Sequence, residues 1–172
     1  MEKIKLIIGL GNPDPEYQQT YHNVGHIAVD FLKNFQFSRL PVPAAQAAGG
    51  QAIFNFQLLK TDVYMNKSGE FVRKAMKKYK AGPEQLLVIH DDSDIELGKY
   101  KLSFGRSSAG HKGVQNIINH LKTQNFWRLR IGIRPSPEKK RTKADVLVLK
   151  KIAPANKRQL DKVFKEAVKL LE

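Results

Sequence analysis

Apolar residues along the chain fall into short runs and helical stripes that take turns. Leu6, Ile7 and Ile8 form a compact run suited to a buried strand, and Gly9 and Gly11 close it where the backbone must turn sharply or admit a near neighbour. Val24, Ile27, Ala28, Phe31 and Leu32 recur at helical spacing and predict a helix from about Thr20 to Asn34, with His22 in its first turn. Residues 36 to 51, with two prolines and a Gly-Gly pair, read as a loop. Partial alternation of Ile53, Phe54, Phe56 and Leu58 predicts a strand from Ala52 to Lys60. A polar turn from Tyr64 to Gly69 follows, with Ser68 as the expected N-cap. Phe71, Val72, Ala75, Met76 and Tyr79 then line one helical face, Arg73, Lys74, Lys77 and Lys78 the other, and Gly82-Pro83 is the expected stop.

The second half continues the alternation. Leu86 to Ile89 predicts a short strand, followed at once by the polar cluster His90-Asp91-Asp92-Ser93-Asp94. Gly98 to Phe104 predicts another, and a small-residue loop from Gly105 to Gly110 leads to a helix opened by His111 and Lys112. The buried stripe of that helix is Val114, Ile117, Ile118 and Leu121. In the run Phe126 to Ile133, Leu129, Ile131 and Ile133 point one way, and Arg128 and Arg130 the other. A basic loop over residues 135 to 145 precedes an amphipathic helix at about 154–171, with Leu160, Val163, Phe164, Ala167 and Leu171 on its apolar face. Strands alternating with helices, no internal repeat and no linker predict one α/β layer structure over residues 1–172.

Composition narrows the chemistry. With 172 residues the chain is long enough to bury one sizeable core. The absence of cysteine excludes disulfides, thiolate nucleophiles and Cys-based zinc sites. No stretch nears the roughly 20 apolar residues of a membrane span, and no cleavage site follows the basic start, so the expectation is a cytoplasmic protein without membrane contact. Thirty Lys+Arg against 16 Asp+Glu leave a formal charge of +14, which favours a polyanion and above all nucleic acid.

Polar clusters stand where strands or loops give way to helices. His22 and Asp91 would make a base and its orienter: the carboxylate accepts one ring N–H and leaves the other nitrogen free to take a proton. Asn12 and Asn66 would offer amides to a peptide-like group or an oxyanion. No serine sits in a G-x-S-x-G elbow, so the nucleophile is expected to be water. The histidines lack zinc spacing and the Asp91-Asp92-Asp94 run lacks the rest of a calcium loop, so no metal is expected. Gly9-x-Gly11 lacks the third glycine of a dinucleotide fingerprint. Arg128 and Arg130, with Lys101 on a neighbouring strand, are candidates to clamp phosphate, as is Lys112 at its helix start.

At these residues the chain resembles the bacterial-type peptidyl-tRNA hydrolase family. The resemblance rests on Gly9-Leu10-Gly11-Asn12-Pro13, Tyr17, His22-Asn23-x-Gly25, Tyr64-Met65-Asn66-x-Ser68-Gly69 and His90-Asp91-x-x-Asp94. It continues through Gly110-His111-x-Gly113 and the run from Phe126 to Ile133, and spans the chain from Lys3 to the final helix. It implies a single-domain three-layer α/β/α fold with a mixed, mostly parallel sheet, no cofactor and a monomer. It also implies cleavage of the ester between peptide and tRNA, with His22 as base, Asp91 as its carboxylate, and Asn12, Tyr17, Tyr64 and Asn66 on the peptidyl-tRNA end. The alternative is a catalytically silent RNA-binding protein on the same scaffold. The chain departs from the family pattern at Asp14 (usually Gly), Tyr21 (usually Arg), Thr61-Asp62-Val63 (usually Pro-x-Thr) and Lys112 (usually an Asn that contacts tRNA).

Overall fold

The computed structural model describes residues 4–38, 56–136 and 142–171. Five strands, β1 (Leu6–Gly9), β2 (Gln57–Lys60), β3 (Leu86–Glu96), β4 (Tyr100–Phe104) and β5 (Trp127–Arg134), form one sheet in the order β2-β1-β3-β5-β4. β1 runs parallel to β2 and β3, β3 runs parallel to β5, and only β4 is antiparallel to its neighbour. The helices among the described residues are α1 (Val24–Ser38), α2 (Ser68–Tyr79), α3 (Lys112–Leu121), the short α4 (Ala144–Val148) and α5 (Pro154–Lys169).

Strand alternation divides the core in two. Ile7, Ile89, Leu129 and Ile131 pack with Val24, Ala28, Val163 and Phe164 of α1 and α5. Leu6, Ile8 and Val88 pack with Val72 and Met76 of α2 and Val114 and Ile117 of α3. Both faces of β1 and of the first half of β3 are therefore buried, which is why those strands read as unbroken apolar runs. The result is the mixed, mostly parallel sheet between two helical layers that the family resemblance implies.

Several boundaries differ from expectation, each for a local reason. The first helix begins only at Val24, because Tyr21–Asn23 form a separate 3-10 turn, and it reaches Ser38. Ser68 does not cap α2 but is its first residue, its hydroxyl donating to the Met65 carbonyl at 2.8 Å. That helix stops at Lys80 in the left-handed conformation, two residues before Gly82. β4 starts at Tyr100, with Gly98 at φ 86° in the turn before it. α4 forms within and beyond the end of the expected basic loop, whose residues 137–141 lie outside the described set. The same holds for residues 39–51 of the expected first loop and 52–55 of the expected strand.

The largest difference concerns β3, which does not end at Ile89 but carries the His90–Asp94 cluster as strand. β5 pairs with it through Asp92, and the ladder becomes irregular between Asp92 and Glu96. Gly132 permits this fit, since a Cβ there would lie 2.1 Å from the Glu96 carbonyl oxygen. A second close approach sets the other half of the site. A Cβ on Gly9 would stand 2.1 Å from the Gly25 oxygen, and one on Gly25 would stand 2.4 Å from the Ile89 oxygen. Two glycines thus let the start of α1 rest directly on β1 and β3, next to the turn that carries His22.

Candidate active site

Beyond β1 the chain passes through Gly11 to Asn12, whose backbone is held from both sides by one side chain. The Asn12 N–H donates to Asn23 Oδ1 and the Asn23 amide donates to the Asn12 carbonyl, each at 2.9 Å. The Asn12 side-chain oxygen accepts from the Met65 N–H at 2.9 Å, which assigns the amide orientation and leaves Nδ2 as the group to offer a ligand.

Asp91, 2% exposed on β3, is the hub of the site. Its Oδ1 lies 2.9 Å from His22 Nδ1 and 3.0 Å from His111 Nε2. His111 is also the N-cap of α3, its Nδ1 accepting from the Val114 N–H at 3.3 Å. That bond places the His111 proton on Nε2, where it donates to Asp91. His22 likewise donates from Nδ1, so its Nε2 is left as a free base. Burial pushes the Asp91 carboxyl up more than any single opposing influence. The electrostatic pull and hydrogen bonds of the His111 and His22 rings together outweigh it and hold the group well below the usual carboxylate range.

His90 completes a cluster of three rings. It is fully buried, donates from Nδ1 to the Asp91 carbonyl at 2.6 Å, and meets His111 edge-on with centroids 4.6 Å apart. Its Nε2 has no partner. Burial, then the neighbouring His111, lowers its pKa well below the ordinary value. Among the described residues His22, Asp91 and His111 are the group with the donor types and proximity a metal needs, their nearest ligand atoms all within 4.8 Å. The Val114 bond opposes that use, since a metal on His111 Nε2 would need the ring's tautomer reversed.

A cleft of about 820 Å³ opens over this cluster. Asn12, His22, Tyr64, Met65, Asn66, Asp91, His111 and Lys112 line it, and α4 with Leu149 supplies an apolar wall. Tyr64 is 47% exposed and its hydroxyl donates to the Asp14 carboxylate across the rim. Tyr17 lies on the Pro15–Tyr17 turn and is not among the residues lining the cleft.

Lys112 lines the cleft, whereas the other basic candidates gather at a neighbouring depression of about 520 Å³, lined by Lys101, Arg106, Ser107, Arg128 and Arg130. Ala109 lines both this depression and the cleft. Arg128 and Arg130 do share a strand face, but neither is a freely solvated cation. Arg128 is 2% exposed and donates to the Ser107 carbonyl at 2.8 Å; burial, then Arg130, lowers its pKa to about 10. Arg130 Nε donates to Asp92 Oδ2 at 2.7 Å.

Sequence reasoning brings His22, Asp91, Asn12, Tyr64 and Asn66 to one cleft. It misses His111 as a second donor to Asp91, and Asn23 as the clamp on Asn12. Both stand inside the motifs quoted above, but spacing alone does not say which face of β3 the α3 cap would meet.

A mixed α/β sheet carrying a histidine–carboxylate pair, a free imidazole nitrogen and an amide donor in an open cleft has the parts that a water-activating hydrolase needs. The chain belongs to the peptidyl-tRNA hydrolase family, whose family model matches residues 6–172. The peptidyl-tRNA hydrolase of Aquifex aeolicus is 41% identical over 175 residues, covering 98% of this chain and 88% of that protein. That of Synechocystis sp. is 44% identical over 147 residues, covering 83% and 76%. The crystal structure of peptidyl-tRNA hydrolase from Acinetobacter baumannii superposes with a TM-score of 0.77 at 33% identity, covering 99% of this chain and 88% of that one.

Proposed function

We propose that this protein hydrolyses the ester joining a peptide to the 3′ end of tRNA, with His22 as the base. The observation that carries the reading is the 2.9 Å contact between His22 Nδ1 and Asp91, which leaves Nε2 free within the cleft. A water in the cleft attacks the ester carbonyl carbon as His22 Nε2 takes its proton. The Asp91 carboxylate stabilises the imidazolium without accepting the proton itself. The tetrahedral oxyanion accepts from Asn12 Nδ2. As the intermediate collapses, His22 returns the proton to the departing 3′ oxygen of tRNA, and the peptide leaves as a carboxylic acid that gives its remaining proton to solvent. Asn66 and Tyr64 bind the peptidyl end from the rim, with Tyr17 further out. Lys112, Lys101 and Arg130 meet tRNA phosphates, supported by the +14 charge, whereas the buried Arg128 holds the Ser107 carbonyl instead of a phosphate. For Arg130 this role competes with Asp92. An intact base–carboxylate pair has no use in a silent RNA binder.

Incubation with N-acetyl-aminoacyl-tRNA and with free aminoacyl-tRNA, followed by counting of released tRNA, tests the reading. Cleavage of the first substrate is expected, with His22→Ala slower by roughly 100-fold or more while still binding tRNA. Near-wild-type turnover of that variant would refute the assignment. Asp91→Asn is expected to slow the reaction without unfolding the protein.

A further inference from the structure

Behind Asn12 lies a hydroxyl whose bonding capacity is fully used. Thr61, at the end of β2 and 2% exposed, accepts from the Gly11 N–H at 3.1 Å and from His26 Nε2 at 2.9 Å. Its own hydrogen goes to the Gly11 carbonyl at 2.9 Å, closer than the Gly9 carbonyl at 3.5 Å. A hydroxyl has one hydrogen and two lone pairs, so these three bonds saturate it. The Thr61 main chain joins the same contact, its N–H donating to the Gly9 oxygen at 3.1 Å.

His26 contributes shape as well as a proton. A Cβ on Gly11 would lie 2.7 Å from two of its ring carbons, so the imidazole covers the Gly11 α-carbon directly. Burial and the nearby Lys60 hold its pKa down to about 4, so the ring is neutral at pH 7 and spends its single proton on Thr61. The turn that begins at Thr61 then runs to Met65, whose N–H orients the Asn12 side chain. One short segment thus grips both the residue before Asn12 and the Asn12 amide. Proline, which the family resemblance expects at position 61, has no hydroxyl to do this.

We propose that His26 and Thr61 are positioning residues of the active site: through the Thr61 hydroxyl they fix Gly11, and through Gly11 they set where the Asn12 amide meets the substrate. The inference rests on the hydrolase reading and on Asn12 as the donor to the ester. Both line a separate pocket of about 600 Å³ that shares Asn12, but not His22, with the cleft, so they act on the reacting ester through Gly11 and Asn12.

The test compares Thr61→Val, which keeps the shape and loses the hydroxyl, with Thr61→Ser, which restores it, and His26→Phe, which keeps a ring over Gly11. Turnover of N-acetyl-aminoacyl-tRNA is measured for each, alone and combined with Asn12→Ala, with circular dichroism to confirm folding. Thr61→Val and His26→Phe are expected to lose about tenfold or more in kcat with KM within about threefold, and Thr61→Ser to stay near wild type. In the Asn12→Ala background neither substitution should slow the reaction further. Should Thr61→Val not fold, His26→Phe carries the same comparison. Folded variants with wild-type kcat, or losses that recur undiminished without the Asn12 amide, would overturn the proposal alone. Wild-type protein that cleaves neither tRNA substrate would overturn the hydrolase reading itself, and the proposal with it.

Discussion

His111→Asn separates two functions that the wild-type ring combines. Asparagine is among the best N-cap residues, so the bond to the Val114 N–H can be remade. Its side chain is too short to reach Asp91 as His111 Nε2 does at 3.0 Å. What is lost is one hydrogen bond to a charged group, worth about 1.5–3 kcal/mol. Water entering the cleft replaces part of it, because the bond lies at the cleft wall, which leaves about 1–2 kcal/mol. At 2–4 °C per kcal/mol for a chain of this size, the expected fall in Tm is about 2–8 °C. The kinetic effect follows from geometry: Oδ1 is now held by His22 alone, so the carboxylate can turn and the base is less well aimed. We expect kcat to fall about tenfold with KM unchanged. Thermal melts and steady-state hydrolysis of N-acetyl-aminoacyl-tRNA measure both quantities, and a double-mutant cycle with Asp91→Asn apportions them. If His111 acts through Asp91, the cycle returns a coupling of about 1 kcal/mol or more. Additive losses, or a variant with wild-type Tm and kcat, would refute the shared-carboxylate account.

Three further outcomes follow from the geometry. Gly25→Ala places a methyl group within 2.4–2.6 Å of backbone atoms of Ile89 and Leu10, so α1 must lift from the sheet. A loss of about 2–3 kcal/mol and a matching fall in activity are expected, and an unchanged melt would show that the contact yields freely. Stability should fall between pH 6.5 and about 4, because the unfolded chain protonates His26 at its ordinary pKa while the folded chain, with that pKa lowered to about 4, does not. His26 contributes at most about 3 kcal/mol of this loss, a part that is complete below pH 4 and should disappear in His26→Gln while the contribution of the buried His90 remains, as chemical denaturation at several pH values would reveal. Arg130→Ala should reduce the slope of log affinity for tRNA against log salt by about one phosphate contact, roughly 0.7–0.9, while an unchanged slope would leave Arg130 as the partner of Asp92 alone.

Periodicity reads this fold well where burial is two-sided or strictly one-sided. Leu6 to Ile8 and Leu86 to Ile89 are apolar throughout because helices cover both faces of the sheet there. α3 and α5 show clean stripes because each buries a single face. Residues 142–148 carry no such stripe, so α4 is invisible to pattern alone, although it walls the cleft. Arg128 reads as a surface cation because arginine is rarely buried, whereas the Ser107 carbonyl, 21 positions away, gives it a partner beneath the loop. Contacts of this kind depend on how distant segments meet, which spacing does not encode.

β3 carries the most consequential case. A run such as His90-Asp91-Asp92-Ser93-Asp94 looks like a turn, since carboxylates disfavour strands and no alternation survives. Yet β5 pairs with its first three residues, His90 opposite Arg130, Asp91 opposite Ile131 and Asp92 opposite Gly132, before the ladder becomes irregular. The polar run is therefore held as strand by its neighbour rather than by its own preference. This gives the local conflict a physical purpose. A carboxylate on a turn would swing with that turn, whereas Asp91 sits on a paired strand in the middle of the sheet, buried at its base. Two imidazoles can then share one of its oxygens at 2.9 and 3.0 Å without moving it. The residues that break the strand pattern are the ones the chemistry needs held still, and β5 supplies what their own propensities lack.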